Sequence, residues 1–383
     1  MEKPTIGVVR GTRQSVINFF EHFEKLNVRF IAASFKPFSY ESTKANFELV
    51  SPPLYFPLKI DPTVLINQKG NLSWFFLKDL EKHLQGSDVV SISDTYYFMN
   101  LQAVDWAKKN GVPVVTVIWT TIPKHITSWF PPYSYITKRV IEATDLFILR
   151  NRASLAFTDS LSIPRKKVKV IYKGVDLAKF HPPLRGQAPG LNSGRRLPPT
   201  TKILFTGNLS KAKGLDDLLA VFSNIRHTNP TIRLIIAGDG EMRRKVEKLA
   251  RKRIVDYRGF VSYDKLPDIY READIYCAPS KFKYFLGIKV WEEYFSYALM
   301  EAQASGLPII ATKTGAIPEE VGKDNLLIES GNRGQLEKSL EKLIASAPLR
   351  QKLGLQNRKR AEKLFNAKKQ ASKTEEEILT YLR

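Results

Sequence analysis

Short apolar runs alternate with longer amphipathic stretches along most of the chain. In the first half, the run "TIGVVRG" precedes the amphipathic "QSVINFFEHFEKL", and "LQAVDWAKKNG" precedes the run "PVVTVIW". Short runs rich in Val and Ile are typical of buried strands, whereas the amphipathic stretches have the spacing of helices. Their alternation predicts an α/β fold with parallel sheets and crossover helices.

A change of composition divides this pattern into two parts. The segment from Pro182 to Thr200, "PPLRGQAPGLNSGRRLPPT", holds five prolines and three glycines, which favour a linker. The alternation then restarts with "KILFTGN", "LDDLLAVFSNI" and "RLIIAGDG". We therefore predict two doubly wound, Rossmann-like domains, 1–181 and 201–365, joined by a linker at 182–200. Ligands of such sheets bind beyond the carboxyl ends of the strands, so we expect a cleft where the domains face each other.

Size and composition agree with two globular domains. The chain has 383 residues, of which 43% are hydrophobic and 26% charged. Its single cysteine, Cys277, excludes an internal disulfide and suits a reducing compartment. The strand pattern begins almost at the first residue, so we expect no signal peptide. No apolar run approaches the roughly 18 residues that span a bilayer, and we expect a cytoplasmic protein.

The chain is strongly basic, with a formal net charge of +22. Such an excess attracts nucleic acid, an acidic membrane surface or a phosphorylated substrate, or it belongs to a solvated surface without a partner. The basic clusters are short and scattered, and no nucleic-acid-binding module is recognisable. We therefore expect no nucleic-acid partner, and attraction to a membrane surface remains open.

Two acids stand eight residues apart in the stretch "EYFSYALME", Glu293 and Glu301. On one continuous helix they would be about 12 Å apart along the axis and offset by about 80°. Ser296 is a good N-cap, so a helix beginning there places Glu293 in the preceding loop and Glu301 in the second turn. The N–H groups of Ser296, Tyr297 and Ala298 would then point outward and could bind phosphate. A diphosphate with a sugar at each end would match these features.

The same stretch resembles the signature of retaining GT-B glycosyltransferases of family 4. The resemblance is strong from about residue 168 onward. Further blocks occur in the family's order: "VIYKGVDLAKFHP", "ILFTGNLSKAKGLDDLL", "IIAGDGEMRRKVEKLA" and "VDYRGFVSYDKLPDIYREADIYCAPS". The resemblance implies two Rossmann-like domains across a cleft, with a final helix, about 366–383, that packs back on the first domain. It also implies sugar transfer from a nucleotide diphosphate sugar with retention at the anomeric carbon.

Roles for individual residues follow from the resemblance. Glu301 would hold the ribose hydroxyls of the donor, and Glu293 would contact the transferred sugar, although the adjacent Glu292 could take that role. Lys213 would neutralise the leaving diphosphate, so neither a metal nor a cofactor is expected. The residues implied to line the donor site are Gly207, Asn208, Gly259, Phe260, Ser296, Tyr297 and Ala298.

The chain also departs from the family pattern. Asn208 stands where the family usually has a phosphate-binding arginine, which Lys211 or Arg13 could replace. His125 lies several residues beyond the position of the family's acceptor-domain histidine, so that role is not assigned to it. The candidate phosphate or acceptor contacts of the first half are Gly11, Thr12, Arg13 and His125. An insertion between Ser280 and Glu293, "KFKYFLGIKVWE", is basic and aromatic, and suits a packed loop, a membrane interface or a polyanionic acceptor.

The resemblance thus implies a retaining, metal-independent enzyme that moves a hexose-type sugar to a glycolipid or polysaccharide acceptor. Glu293 would orient the sugar and stabilise charge without forming a covalent bond. We expect a cytoplasmic protein that can associate peripherally with the inner membrane face. The alternatives are a non-catalytic sugar-nucleotide-binding relative and a nucleic-acid binder, which explains the charge but none of the motifs. The base, the sugar and the acceptor do not follow from the sequence.

Overall fold

Two compact units make up the chain in the computed structural model, which describes residues 2–11, 14–34, 40, 42, 44–55, 75–183 and 200–382. The first unit combines Met1–Gly174 with Ala367–Arg383, and the second is Val175–Asn366. The division precedes the proline-rich segment, of which residues 184–199 lie outside the described part.

The first unit is built on a parallel sheet. The strands of this unit are β1 (Thr5–Gly11), β2 (Asn27–Ala33), β3 (Phe47–Val50), β4 (Leu54–Tyr55), β5 (Phe76–Leu77), β6 (Val89–Ser93), β7 (Val114–Ile118), β8 (Leu146–Leu149) and β9 (Val168–Val170). Among the described residues, seven of these strands pair in the order β3-β2-β1-β6-β7-β8-β9, all parallel. β4 and β5 form a separate antiparallel pair.

Helices cover this sheet. They are α1 (Gln14–Phe20), α2 (Leu80–Leu84), α3 (Phe98–Asn110), α4 (Tyr133–Ala143) and α5 (Ser154–Ser160). Strands β7 and β8 are buried along their whole length, as in parallel sheets with both faces covered. The near-continuous apolar runs of the sequence are explained by this burial.

The second unit repeats the same architecture. Its strands are β10 (Lys202–Thr206), β11 (Arg233–Ala237), β12 (Asp256–Tyr257), β13 (Ile275–Ala278), β14 (Lys283–Phe285), β15 (Ile288–Trp291), β16 (Ile309–Thr312) and β17 (Leu326–Ile328). Six of them form a sheet in the order β12-β11-β10-β13-β16-β17, whose neighbours are parallel. In each main sheet, strands are added on one side of the first strand, β1 or β10, and then on its other side, which is the doubly wound order. The prediction of a doubly wound α/β fold is confirmed.

The helices of the second unit surround this sheet, and a last helix follows them. They are α6 (Leu215–Thr228), α7 (Arg243–Arg251), α8 (Leu266–Arg271), α9 (Tyr297–Ala304), α10 (Ile317–Val321), α11 (Arg333–Ala345) and α12 (Ala347–Leu364). Helix α13 (Ala367–Leu379) belongs to the first unit. Within the described residues, every helix is too short or too polar to cross a membrane.

Helix α13 is joined to the first unit by a buried carboxylate. Glu375 accepts hydrogen bonds from the backbone N–H groups of Glu24, Lys25 and Leu26, at 3.0, 2.8 and 3.0 Å. These three residues form the turn that leads into β2. A carboxylate that accepts several backbone N–H bonds is a strong, charge-assisted contact. The turn and the last helix therefore depend on each other.

Candidate functional site

Helix α9 begins at Tyr297 with Ser296 as its N-cap residue, as the sequence predicts. Glu293 lies in the loop between β15 and α9, and Glu301 lies in the second turn of the helix. Both acids are buried, at 7% and 4% exposure. A carboxylate that is nearly excluded from water needs a hydrogen-bond donor or a cation as its partner.

Glu293 forms an ion pair with Lys213. The Nζ atom of Lys213 contacts Oε2 of Glu293, and the hydroxyl of Ser280 donates to the same oxygen at 3.2 Å. The ammonium group also lies 5.1 Å from the centroid of the Trp291 ring. The structure thus brings together two groups that the sequence assigned to catalysis. Glu292, the alternative acid, instead pairs with Lys289 at 2.7 Å.

A tight turn carries Lys213 to this position. Lys211–Lys213 form a 3-10 turn whose N-cap, Ser210, accepts a hydrogen bond from the Lys213 N–H at 3.3 Å. Gly214 follows with φ of 70°, and a Cβ atom there would lie 1.8 Å from the carbonyl oxygen of Pro279. Only glycine permits this close approach to the end of β13. The "KAKG" sequence therefore fixes the backbone position from which the Lys213 side chain extends.

Glu301 is held by a tyrosine. The hydroxyl of Tyr270 donates to Oε2 of Glu301 at 2.9 Å and lies 2.8 Å from the Thr206 hydroxyl. Burial raises the pKa of Tyr270 well above 10, and the negative charge of Glu301 raises it further. Tyr270 therefore remains a neutral donor at physiological pH. The sequence analysis missed this residue, which "LPDIYREA" places on α8 without any signal of its partner.

One expectation about the N-terminus of α9 is wrong. The N–H of Ser296, predicted to point outward with those of Tyr297 and Ala298, donates to Oε2 of Glu320 at 2.8 Å. Glu320 is fully buried on α10. A carboxylate at a helix N-terminus is stabilised by backbone N–H donors and by the helix dipole, which also favour phosphate. The sequence analysis did not single out Glu320, because its partner lies 24 residues earlier.

The other residues that the resemblance implies for the donor site lie at the carboxyl ends of neighbouring strands. Gly207 and Asn208 are exposed immediately after β10, and Gly259 and Phe260 follow β12. The N–H of Gly238, at the end of β11, donates to the Gly259 carbonyl at 2.7 Å, and the Gly207 N–H donates to Ala237 at 3.0 Å. These loops are therefore adjacent, at the edge of the sheet where α/β proteins bind ligands.

The end of β16 holds the backbone of Glu293 at this same edge. The N–H of Ala316 donates to the carbonyl of Glu293 at 3.0 Å. Gly315, with φ of 52°, lies so close that an added Cβ atom would be 2.1 Å from that carbonyl oxygen. The loop before α9 therefore rests on a position that admits no side chain.

Of the four candidate phosphate or acceptor contacts in the first unit, the structure describes Gly11 and His125. Gly11 ends β1, whereas Thr12 and Arg13 lie outside the described residues. His125 is buried and caps a 3-10 turn, with its Nδ1 atom 2.9 Å from the Thr127 hydroxyl. Its ring is thus engaged in a local structural contact.

A buried acid in the first unit escaped the sequence analysis. Asp94 follows β6, and its Oδ1 accepts hydrogen bonds from the backbone N–H groups of Trp119 and Thr120 at 3.0 and 3.4 Å. Burial raises its pKa from 3.8 to about 6, against the opposing effect of these hydrogen bonds. The only available signal was an acid directly after the strand-like run "DVVSIS".

Comparison with known families assigns both halves of the chain. The family described as Glycosyl transferases group 1 matches residues 195–360, and Glycosyltransferase Family 4 matches residues 9–179. The chain therefore belongs to the glycosyltransferases that these two family descriptions name. Lys213, Glu293, Glu301 and Glu320 all lie within the matched region 195–360.

Curated relatives share part of their length with the chain. It is 30% identical over 218 residues to spore coat protein SA of Bacillus subtilis, covering 52% of this chain and 55% of that protein. It is 25% identical over 268 residues to the sulfoquinovosyl transferase SQD2 of Arabidopsis thaliana, covering 67% and 50%. The chain thus spans about half the length of the curated relatives it matches.

Solved structures share the fold over nearly the whole chain. Sucrose-phosphate synthase from Thermosynechococcus elongatus superposes with a TM-score of 0.73 at 17% identity, covering 99% of each chain. The HepE protein of Anabaena, crystallised with UDP-glucose, superposes with a TM-score of 0.67 at 14% identity, covering 98% of this chain and 99% of that one. The fold is therefore of the GT-B class.

Proposed function

We propose that this family member transfers a hexose-type sugar from a nucleotide diphosphate sugar to a glycolipid or polysaccharide acceptor, with retention and without a metal. The observation that carries the proposal is the Lys213–Glu293 ion pair, which lies at the carboxyl edge of the second sheet. One group suits the charge that develops on a leaving diphosphate, and the other suits the charge that develops on the sugar. The relatives named as glycosyltransferases support the same reaction class.

The ion pair suggests how the donor enters. In the free protein the Lys213 ammonium neutralises Glu293, so neither charge is buried alone. A diphosphate competes for the ammonium group, and sugar hydroxyls compete for the carboxylate. Donor binding would therefore replace one compact ion pair by two contacts, one on each side of the bond that breaks.

The reaction then balances without a further reagent. The acceptor hydroxyl oxygen bonds to the anomeric carbon on the face from which the phosphate leaves. The bond from that carbon to the diphosphate oxygen breaks, and its electron pair stays on the diphosphate beside Lys213. The acceptor proton passes to a phosphate oxygen, which gives the nucleoside diphosphate and the glycoside as products. Glu293 stabilises the positive charge on the sugar without becoming its nucleophile.

Glu320 changes which helix N–H groups would meet the diphosphate. The Ser296 N–H is already bonded to that carboxylate, so the phosphate contacts would come from the N–H groups of Tyr297 and Ala298. The Glu301 carboxylate, oriented by Tyr270, would accept the ribose hydroxyls from the second turn of the same helix. One helix would thus contact both the phosphate and the sugar of the nucleotide.

A second candidate is a sugar-nucleotide-binding protein without turnover. It is favoured by two departures from the family pattern: Asn208 stands where the family usually has an arginine, and His125 lies several residues beyond the position of the family histidine. Both departures would weaken catalysis while leaving Glu301 and α9 available for binding.

The two candidates are separated by binding and turnover measured on the same protein. Thermal unfolding with UDP, GDP and ADP, and then with their glucose and mannose derivatives, identifies the donor. A ligand at about 100 times its dissociation constant adds about 2.7 kcal/mol to the free energy of unfolding. Donor hydrolysis and sugar transfer are then measured with that donor for the wild type and Glu293→Gln. We expect Glu293→Gln to bind the nucleotide but lose activity about 100-fold or more.

Glu329→Gln is the matched control, because Glu329 is exposed and pairs with Lys313 on the surface of the same unit. It should behave as the wild type does. Wild-type binding without turnover would favour the non-catalytic candidate. If no nucleotide or nucleotide sugar shifts the unfolding temperature, both candidates are excluded.

A further inference from the structure

The insertion before Glu293 forms a β-hairpin that stands apart from the main sheet. Among the residues that the structure describes, strands β14 and β15 pair only with each other, in an antiparallel register that joins Phe285 to Ile288. Two residues, Leu286 and Gly287, make the turn. The insertion is therefore neither a packed loop nor an extra strand of the sheet.

The tip of this hairpin is apolar and exposed. Tyr284 and Phe285 are each 59% exposed, Leu286 is 85% exposed and Ile288 is 39% exposed. Four large apolar side chains thus occupy five consecutive positions at the turn, and Phe285 pairs with Ile288. Scattered apolar residues on a surface are ordinary, but a cluster of them at the tip of a separate hairpin is typical of a docking site.

The turn itself favours this interpretation. Leu286 and Gly287 have φ angles of 48° and 77°, the pattern of a type I′ turn. Asn, Asp and Gly are preferred in such turns, because other residues pay about 1–2 kcal/mol for the left-handed conformation. A leucine at this position is unfavourable for the turn. Its presence is explained if the exposed side chain has a contact of its own to make.

The surroundings of the tip indicate what that contact is. Lys283 begins β14 and is exposed, whereas Lys281 before the hairpin pairs with Asp216 and Asp217 and Lys289 on β15 pairs with Glu292. The whole chain carries a net charge of +22. Phe282 immediately precedes β14 and Trp291 ends β15, so both lie nearer the base of the hairpin. Apolar tips, then aromatic rings and lysines, match the layers of a membrane surface from the acyl boundary to the headgroups. A negatively charged lipid surface complements the basic charge.

We propose that the hairpin 283–291 inserts its apolar tip into the headgroup–acyl boundary of an anionic lipid bilayer. Binding to the bilayer is independent of catalysis. Its consequence for the acceptor rests on the proposed function. Trp291, at the base, lies 5.1 Å from the Lys213 ammonium group and two residues before Glu293. From Leu286 to Glu293 the chain spans at most about 24 Å, so a docked tip places the ion pair close to lipid-linked acceptors.

The experiment measures the binding of the full chain to sedimented lipid vesicles, with no donor present. Vesicles of phosphatidylcholine alone are compared with vesicles of phosphatidylcholine and phosphatidylglycerol. The double variant Phe285→Ser/Leu286→Ser removes the apolar tip. We expect the wild type to bind the anionic vesicles and the double variant to bind them at least tenfold more weakly. Leu355→Ser is the matched control, because Leu355 is 61% exposed on α12 of the same unit, and it should bind as the wild type does.

A second variant separates docking from folding. Leu286→Asn introduces a residue that the turn prefers, so we expect thermal stability equal to or above that of the wild type and weaker vesicle binding.

Equal binding of this variant, the double variant and the wild type would overturn the proposal and leave a purely electrostatic attraction. Wild-type protein that ignores both kinds of vesicle would also overturn it, as would a dimer in solution that the double variant abolishes. Failure of the donor experiment leaves the vesicle result unaffected, so the two proposals fail separately.

Discussion

Glu301 and Tyr270 show how one neutral side chain orients a buried charge. The tyrosine hydroxyl can donate only one proton, and the nearby oxygens of Glu301, Thr206 and Ala298 are all within 3.2 Å of it. The carboxylate is the strongest acceptor of the three, and the Thr206 hydroxyl can donate to the tyrosine in return. The rotamer of Glu301 is thus fixed before any ligand arrives.

Replacing this tyrosine separates binding from chemistry. In Tyr270→Phe, Glu301 loses a hydrogen bond to its charged oxygen, which is worth about 1.5–3 kcal/mol. We expect the KM for the donor to rise about tenfold or more and kcat to change little, because in the proposed function Glu301 binds the ribose of the nucleotide. Tyr276→Phe is the control, since that hydroxyl lies 3.2 Å from the Thr206 hydroxyl on the same buried cluster. A fall in kcat at unchanged KM would show that Glu301 acts on the reacting sugar instead.

Elements of the second unit meet where glycines remove side chains. Gly315 admits the Glu293 carbonyl, Gly214 admits Pro279, and Gly354 of α12 brings its Cα to a point where a Cβ would lie 2.1 Å from the Gly306 carbonyl oxygen. Each contact joins segments that are far apart in sequence. The loop that carries the catalytic candidate is therefore positioned by its neighbours more than by its own sequence.

Gly315→Ala tests this positioning. The added methyl group must displace the Glu293 backbone, so we expect kcat to fall at least tenfold and stability to fall by more than the cost of the φ angle alone. Gly331→Ala is a matched control, because Gly331 has φ of 77° but no atom within 4 Å of its added Cβ. That variant should lose only about 1 kcal/mol and keep full activity. The measurements are urea unfolding and turnover with the identified donor, and equal losses in both variants would contradict the argument.

Local signals predicted the elements well and their long-range partners poorly. Ser296 correctly indicated the start of α9 as its N-cap residue, because N-cap preferences depend on the local sequence, although its side chain makes no capping hydrogen bond. Glu320 and Tyr270 could not be assigned in the same way, since each contacts a residue 24 or more positions away. The family resemblance identified Lys213 and Glu293, but their ion pair depends on the packed ends of the strands. The exposure of the hairpin tip likewise follows from its missing neighbours in the sheet.

At the scale of the whole molecule, the first unit is made from two separate segments of the chain. Val175–Asn366 intervenes between β9 and α13, yet α13 contributes the buried side chains of Ala371, Thr374 and Ile378 to the first unit. Glu375 then bonds the backbone turn of Glu24–Leu26. The integrity of the first unit thus depends on a helix that follows the second.

Glu375→Gln measures how strongly α13 is held. The neutral amide keeps one acceptor oxygen in place of two and loses the charge-assisted bonds, so we expect the free energy of unfolding to fall by about 2–3 kcal/mol. Glu376→Gln is the control, because the adjacent side chain is exposed and pairs only with Lys25 and Ser372 in the described contacts. Urea unfolding followed by circular dichroism gives both values. Equal stability of the two variants would show that the three backbone bonds contribute nothing.

The split construction of the first unit has a consequence for biosynthesis. While a ribosome makes Val175–Asn366, the segment Met1–Gly174 already exists without the helix that closes it. At about 5–20 residues per second this interval lasts roughly ten to forty seconds. During that time the backbone donors that later meet Glu375 face water, and the apolar groups later covered by α13 are open to chaperones. The nascent polypeptide therefore completes its earlier half last, and a stalled or truncated translation product would be a ready target for proteolysis.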